Sequence, residues 1–262
     1  MSTKRTAGDV RPLFAFYGSK WRIARRYPPP AYETIVEPFA GSAGYALRYA
    51  NRKVILVERD PIIVGTWRYL LRATPAEIRA LPDIAEGQSV DDLPICQEAR
   101  WLIGWRLSPG SAQPKKTISS WGRAGGPRAD SDRYAVFWGS KIRNRIADSV
   151  EHIRHWRIIE GDYTKAPDME ATWFVDPPYQ KAGRHYRYCE LDYDKLAGWC
   201  RSRRGQAIVC ENTGASWLPF DHMVAAKANQ SKNGGKVSHE AVWIGGVDRR
   251  IVGQMDLFGD SY

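Results

Sequence analysis

Eight residues, Thr172-Trp-Phe-Val-Asp-Pro-Pro-Tyr179, narrow the choice of fold more than any other stretch of this chain. Trp173, Phe174 and Val175 form an uninterrupted aromatic and β-branched run, which suits a strand on a covered, pleated surface. Neither Pro177 nor Pro178 has an N–H to give to a ladder, so the strand stops there. Asp176 is left at the carboxyl end of the strand with the Tyr179 ring beside it. In an open α/β sheet that edge is where ligands bind. A carboxylate acceptor, a rigid turn and a stacking ring suit a planar, amine-bearing substrate such as a nucleobase. A capped strand end with a surface tyrosine would use the same residues.

Other segments follow the same grammar. Thr34-Ile-Val36 reads as a strand running into Glu37-Pro-Phe-Ala-Gly-Ser-Ala-Gly44, and Tyr45–Ala50 has helical character. Gly41 lets the backbone approach a ligand, and the helix start that follows favours a carboxylate or phosphate. Lys53–Val57 is a second buried strand ending in Glu58-Arg-Asp60. An acid at that tip is where doubly wound folds hold a ribose diol. Upstream, Gly18-Ser19 turns into the basic helical stretch Trp21–Arg26, with Lys20 placed to meet a negative group. Pro28-Pro-Pro-Ala-Tyr32 is read as punctuation before the strand rather than as a WW-domain ligand. Downstream come a strand at Trp156–Ile159 ending in Glu160-Gly-Asp-Tyr163, a helix at Leu191–Arg201 and a strand at Gln206–Cys210. Met223–Ala226 and Glu240–Ile244 form a terminal antiparallel pair.

From Pro61 to about Arg157 the α/β rhythm breaks. Helices are expected at Ile63–Leu71, after the N-cap and first-turn proline of Thr74-Pro75, and along the Ile142, Ile146, Val150, Ile153 face. Between Gln97 and Arg157 stand 12 basic and 5 acidic residues and five tryptophans, so charge and aromatics concentrate together. Ser108–Asp132, rich in Gly, Ser, Pro, Lys and Arg, reads as a long loop that orders on a partner. The whole chain of 262 residues carries 39 Lys+Arg against 29 Asp+Glu, with 11 Trp and 13 Tyr. That balance suits a polyanion whose bases can be stacked. The expected nucleic-acid contacts are Lys115, Lys116, Trp121, Arg123, Arg128, Arg133, Lys141 and Arg143, joined by Lys181, Arg184, Tyr186 and Arg187 from the loop after Tyr179. A small helical lid with solvated charges is the plainer alternative. The four cysteines show no C-x-x-C pair and read as reduced thiols, and His185 and His222 lack ligand spacing, so no metal is expected. No apolar run reaches membrane-spanning length and the N-terminus lacks a signal-peptide core, which points to a cytoplasmic protein.

Taken in order, these motifs resemble the Dam-like family of S-adenosylmethionine-dependent DNA adenine-N6 methyltransferases, in the alpha motif order. The resemblance covers most of residues 13–245 and is weakest in the basic insert. It implies a Rossmann-like methyltransferase α/β sheet with a terminal antiparallel strand. The catalytic domain would be discontinuous, 11–60 and 156–250, around an inserted, mainly helical DNA-recognition region at 61–155, with flexible termini at 1–10 and 251–262. The cofactor S-adenosylmethionine would be held by Phe16, Tyr17, Gly18 and Lys20, by Glu37, Pro38, Phe39, Ala40, Gly41, Ser42, Ala43 and Gly44, by Glu58 and Arg59, and by Asp162, Tyr163 and Asp176. Ala43 departs from the glycine many members carry there. Asp176, Pro177, Pro178 and Tyr179 would be the catalytic tetrad acting on an adenine flipped out of duplex DNA, in a bacterial or phage-encoded enzyme with or without a restriction partner. An RNA adenine methyltransferase and a catalytically silent DNA-binding protein on the same fold are the alternatives.

Overall fold

A computed structural model describes residues 9–118, 137–180, 186–227 and 237–246, at backbone level alone over 222–227 and 237–239. Its described strands are β1 (Thr34–Glu37), β2 (Lys53–Glu58), β3 (Arg157–Glu160), β4 (Glu170–Val175), β5 (Arg204–Asn212), β6 (His222–Lys227) and β7 (Val237–Gly245). They make one seven-stranded sheet in the order β3-β2-β1-β4-β5-β7-β6. The first five are mutually parallel, and β7 enters antiparallel between β5 and β6. This is the Rossmann-like α/β sheet with a terminal antiparallel pair that the sequence implies. Strand order reverses between β1 and β4, so the crevice where such sheets take ligands lies between their carboxyl ends.

The apolar run at β4 is covered on both faces. Phe174 packs into one core with Ile35, Leu56 and Ile208. Trp173 and Val175 pack into the other with Val36, Val57 and Val209. Alternation along each strand sends neighbours to opposite faces, so both cores are fed from one central strip. Helices α1 (Pro61–Arg72), α2 (Pro75–Ala80), α3 (Gln97–Leu107) and α4 (Ser140–Val150) lie between β2 and β3, and α5 (Tyr193–Arg201) between β4 and β5. Asp60 caps α1 by accepting from Ile62 N, and α2 opens on a full Thr74–Glu77 capping box. Each cap contributes about 1 kcal/mol.

Several details differ from the sequence reading. The stretch after the glycine loop is a four-residue 3-10 turn, Ala46–Tyr49, and Trp21–Arg26 is split over two 3-10 turns, Lys20–Arg22 and Ala24–Arg26. A full helix dipole therefore does not stand behind the glycine loop. Strand β3 starts at Arg157, because the Trp156 indole is buried and donates to the Ala50 carbonyl at 3.1 Å. From the helices of 61–155, Trp67, Ile78, Trp105 and Ile146 share the core of the sheet. A small satellite cluster, Val90, Leu93, Ile103 and Leu107, is the local exception. Asp9 and Val10, expected to fray, are tied down. The Asp9 carboxylate pairs with Arg25 at 2.6 Å and Arg48 at 3.0 Å, and the Val10 carbonyl accepts from the Trp21 indole at 2.7 Å. Residues 1–8 and 251–262 lie outside the described residues.

Candidate active site

Glu37 ends β1 two residues after Ile35, and Glu58 ends β2 two after Leu56. Asp176 follows β4 two after Phe174, and Glu240 lies in β7 two before Val242. Ile35, Leu56, Phe174 and Val242 all belong to the same core. The period of two therefore brings four acids to one face of the sheet at one edge. Glu240 arrives there because β7 runs backwards beside β5, in register with Asn212.

The turn after β1 forms a cradle. Gly41 has φ 44°, its N–H donates to Glu58 at 3.0 Å, and its carbonyl accepts from the Trp67 indole of α1 at 2.8 Å. Glu58 also accepts from the N–H groups of Arg59 at 2.8 Å and Asp60 at 2.9 Å, so β2 and the glycine loop are tied through one carboxyl. Burial raises the pKa of Glu58, against those three donors. The Glu37 carboxyl accepts from Ala46 N at 2.6 Å, and burial pushes its pKa up to about 8. Neither Ser42 nor Ala43 lines the cleft: the Ser42 hydroxyl donates to Ser19 at 2.8 Å, and Ala43 is fully buried. Ala43 has φ 51°, a left-handed conformation that costs an L residue of order 1 kcal/mol.

Lys20, expected to meet a negative group, meets two. Its ammonium lies 2.8 Å from Asp176 Oδ1 and 3.7 Å from Glu240 Oε1, with the Gly18 carbonyl at 3.3 Å. It also stands 4.8 Å from the centre of the Tyr179 ring. Burial opposes the charge on Lys20, but Asp176 and Glu240 overcome it and hold the ammonium above the usual lysine range. Burial raises Asp176 to about 6, with Lys20 pulling down and Glu240 pushing up. Tyr179 is half-buried against the core, not a surface ring, and its buried hydroxyl faces Asp176 without a hydrogen bond of ordinary geometry. The turn is braced from two sides. The Tyr193 hydroxyl of α5 donates to the Pro178 carbonyl at 2.7 Å, and Glu211 of β5 accepts from Gln180 N at 3.1 Å.

A cleft with about 910 Å³ of empty space, open mouth included, joins these parts. Phe16, Tyr17, Gly18 and Lys20 line it, with Glu37, Pro38, Phe39, Ala40, Gly41 and Gly44 from the β1 turn. Glu58, Arg59, Asp162, Tyr163, Asp176 and Pro178 line it too. Phe39 and Tyr163 stack with ring centres 5.6 Å apart. The Asp162 carboxylate accepts from Thr164 N at 2.9 Å and from the Thr164 hydroxyl, which lowers its pKa. Tyr186 and Arg187, expected on nucleic acid, form part of the cleft wall. The Tyr186 hydroxyl donates to the Tyr17 carbonyl at 3.4 Å, and Arg187 reaches Asp60 at 4.0 Å. With Tyr188 under the Arg59 guanidinium at 4.8 Å, they close over the cleft as a flap. Gln113 of the insert also lines it and donates to Asp60 at 3.4 Å.

Sequence reasoning did not single out Asp60, Gln113, Tyr188, Tyr27 or Glu240 as site residues. Asp60 closes the acidic Glu58-Arg-Asp tip and was legible in principle; the others depend on tertiary return of the chain. Of the expected nucleic-acid contacts, Lys115 and Lys141 are exposed, and Lys116 pairs with Asp91 at 2.6 Å. Arg143, another expected contact, and its neighbour Arg145 are partly buried: Arg143 pairs with Asp83, and Arg145 donates to the Pro12 carbonyl at 3.2 Å. Trp121, Arg123, Arg128, Arg133, Lys181 and Arg184 lie outside the described residues. No group of acids, histidines and cysteines suited to a metal, and no helix long and apolar enough to cross a membrane, occurs among the described residues.

No protein-family model matches this chain, and no curated protein sequence does so either. Solved structures give weak likenesses. One, a conserved hypothetical protein of Streptococcus pyogenes, is 12% identical over 81% of this chain and 85% of its own, with a TM-score of 0.32. Another, the rRNA methyltransferase aviRa from Streptomyces viridochromogenes, is 15% identical over 86% and 81% of the two chains, with a TM-score of 0.36.

Proposed function

We propose that the protein is an S-adenosylmethionine-dependent methyltransferase that modifies N6 of an adenine flipped out of duplex DNA. One observation carries the reading. The segments around Phe16, Glu37–Gly44, Glu58, Asp162–Tyr163 and Asp176–Pro178, up to 162 residues apart in sequence, line a single cleft at the point where strand order reverses.

The cleft also has the chemistry for this cofactor. Phe39 and Tyr163 offer aromatic surface to a purine, and Glu58 an acceptor to a ribose diol. Glu37 is a carboxyl whose pKa is raised by burial, and the ammonium of the methionine portion would pair with it once ionised. When bound, S-adenosylmethionine contributes an electrophilic methyl group on a sulfonium. The chain's own residues do the rest. Asp176 and the Pro177 carbonyl accept hydrogen bonds from the adenine amine, which keeps electron density on a nitrogen otherwise conjugated into the ring. The flap of Tyr186–Tyr188 limits water at the reacting atoms. Catalysis on this scheme is positioning plus electrostatics. Lys115, Lys141 and the net charge of +10 support a polyanionic substrate.

The test is transfer of labelled methyl from S-adenosylmethionine to unmethylated duplex DNA, with nucleoside analysis of the product. N6-methyladenine is expected, and Asp176→Ala should abolish its formation while cofactor binding by calorimetry is retained. Product on RNA alone would move the substrate, and cofactor binding without product on any nucleic acid would favour a silent binder. Undiminished turnover by Asp176→Ala would overturn the role given to that carboxylate.

A further inference from the structure

The cluster behind Asp176 holds two carboxyl groups for one ammonium. Lys20 Nζ is 2.8 Å from Asp176 and 3.7 Å from Glu240, and its side chain is only 7% exposed. An amine arriving at Asp176 must compete with this cation for the same carboxylate. A buried ammonium cannot simply leave, because stripping one partner from a buried pair costs several kcal/mol. Glu240 removes that difficulty. Its Oε2 accepts from the Tyr27 hydroxyl, and Tyr27 is itself packed edge-on against Phe174 with ring centres 5.2 Å apart. That anchor leaves Oε1 turned toward Lys20. A movement of Nζ by about 1 Å would give a full charge-assisted bond of 2.7–2.9 Å.

We propose that Glu240 is a positioning residue, a second seat for the Lys20 ammonium, to which the lysine shifts when the substrate amine comes up to Asp176. Tyr27 keeps that seat in place. The consequence for rate rests on the methyl-transfer reading; the coupling of Glu240 to the Lys20–Asp176 pair does not. The groups facing Asp176 are Lys20 from the N-terminal segment, Glu37 of β1, Tyr179 of the turn, Tyr186 of the flap, Cys210 of β5, Glu240 of β7 and Tyr27. Burial pushes Tyr27, Tyr179, Tyr186 and Cys210 upward, so they stay neutral near pH 7. The charge balance at Asp176 is thus set by Lys20 against Glu240, with Glu37 joining as it ionises.

The experiment compares Glu240→Gln with the unsubstituted full-length protein in two ways. The first follows the Asp176 carboxyl by NMR of protein labelled with ¹³C-aspartate, which needs no turnover. Removing a neighbouring negative charge should lower the Asp176 midpoint. The second measures single-turnover methyl transfer against pH, with cofactor Kd in parallel. The rate should fall about tenfold to a hundredfold, its acidic limb should move to lower pH, and cofactor Kd should hold. Glu240→Asp should recover part of the rate. Tyr27→Phe, which frees the seat but keeps its charge, should slow transfer with little change in the midpoint. A merely structural glutamate would lower stability without moving either titration. An unmoved midpoint together with an unchanged acidic limb overturns the proposal. So does a Glu240→Asp variant no faster than Glu240→Gln. Should the unsubstituted protein modify no nucleic acid, the methyl-transfer reading falls, and the NMR midpoint alone decides whether Glu240 is coupled to the pair.

Discussion

Gly44 shows how little room the site leaves at a single residue. A Cβ built there would meet Trp21 N at 2.6 Å and Lys20 N at 2.8 Å, both backbone atoms that cannot rotate aside. The turn after β1 and the segment bearing Lys20 touch through that missing side chain. Gly44→Ala must therefore push residues 20–21 away and carry the ammonium off its 2.8 Å contact with Asp176. A loss of about 1–3 kcal/mol is expected from overpacking, with weaker cofactor binding. Gly198, exposed in α5 with nothing near its absent Cβ, is the internal control. Gly198→Ala should be neutral or stabilising by up to about 1 kcal/mol, from helix propensity. Chemical denaturation and calorimetry of both variants read the contrast, and equal effects would mean that the close approach at Gly44 relaxes freely.

At the scale of elements, the turn at Pro177-Pro178 takes its position from its neighbours. Tyr193, the first residue of α5, donates to the Pro178 carbonyl from a ring whose hydroxyl burial pushes up to about 12. Tyr193→Phe keeps the ring packed on Trp217 and removes only that bond. Stability should drop by about 0.5–1.5 kcal/mol. On the proposed function, methyl transfer should slow while cofactor Kd stays put, because the adjoining Pro177 carbonyl loses its brace. A variant equal to the parent in rate would show that the prolines hold the turn unaided. The strands of this site were legible because the apolar runs end in an acid, followed by Pro in Val36-Glu-Pro and Val175-Asp-Pro and by Arg in Val57-Glu-Arg. The part played by Glu240 was not. In sequence it is one polar residue before Ala-Val-Trp-Ile, and only the antiparallel return of β7 sets it near Lys20. Tyr27 was hidden for the same reason, and Tyr186, expected on nucleic acid, gave no sign of its bond to Tyr17: side-chain meetings across more than 150 residues leave no periodic trace. The 3-10 turns misled through propensity, since Trp21–Arg26 and Tyr45–Ala50 have helical residues but are kept short by the packing of the N-terminal segment on the glycine loop.

Across the whole molecule, three of the acids gathered at one sheet edge, Glu37, Glu58 and Asp176, tie stability to pH. Glu37 is raised to about 8, Asp176 to about 6, and Glu58 is raised as well, with burial the leading cause for each. A carboxyl whose folded pKa exceeds its unfolded value contributes fully at low pH, and that contribution is lost as pH rises through the folded pKa. The sign is thus opposite to that of an ion-paired carboxylate. Lys20, held above its unfolded value, adds no slope below about pH 10, and Asp162, shifted downward, acts only at acid pH. Between about pH 5 and 8 the free protein should lose stability with rising pH, by up to about 1.4 kcal/mol per unit for each titrating carboxyl. Glu37→Gln should flatten the upper part of that slope. A ligand that brings a cation to Glu37 removes the penalty by ionising it, so its affinity should rise as pH goes from 6 to 7.5, by up to about tenfold per unit. S-adenosylhomocysteine carries such an ammonium and 5′-methylthioadenosine does not. Thermal shifts should therefore grow with pH for the first and stay level for the second. Equal pH dependence for both would remove Glu37 as the partner of the ammonium and place the amino-acid portion elsewhere in the cleft.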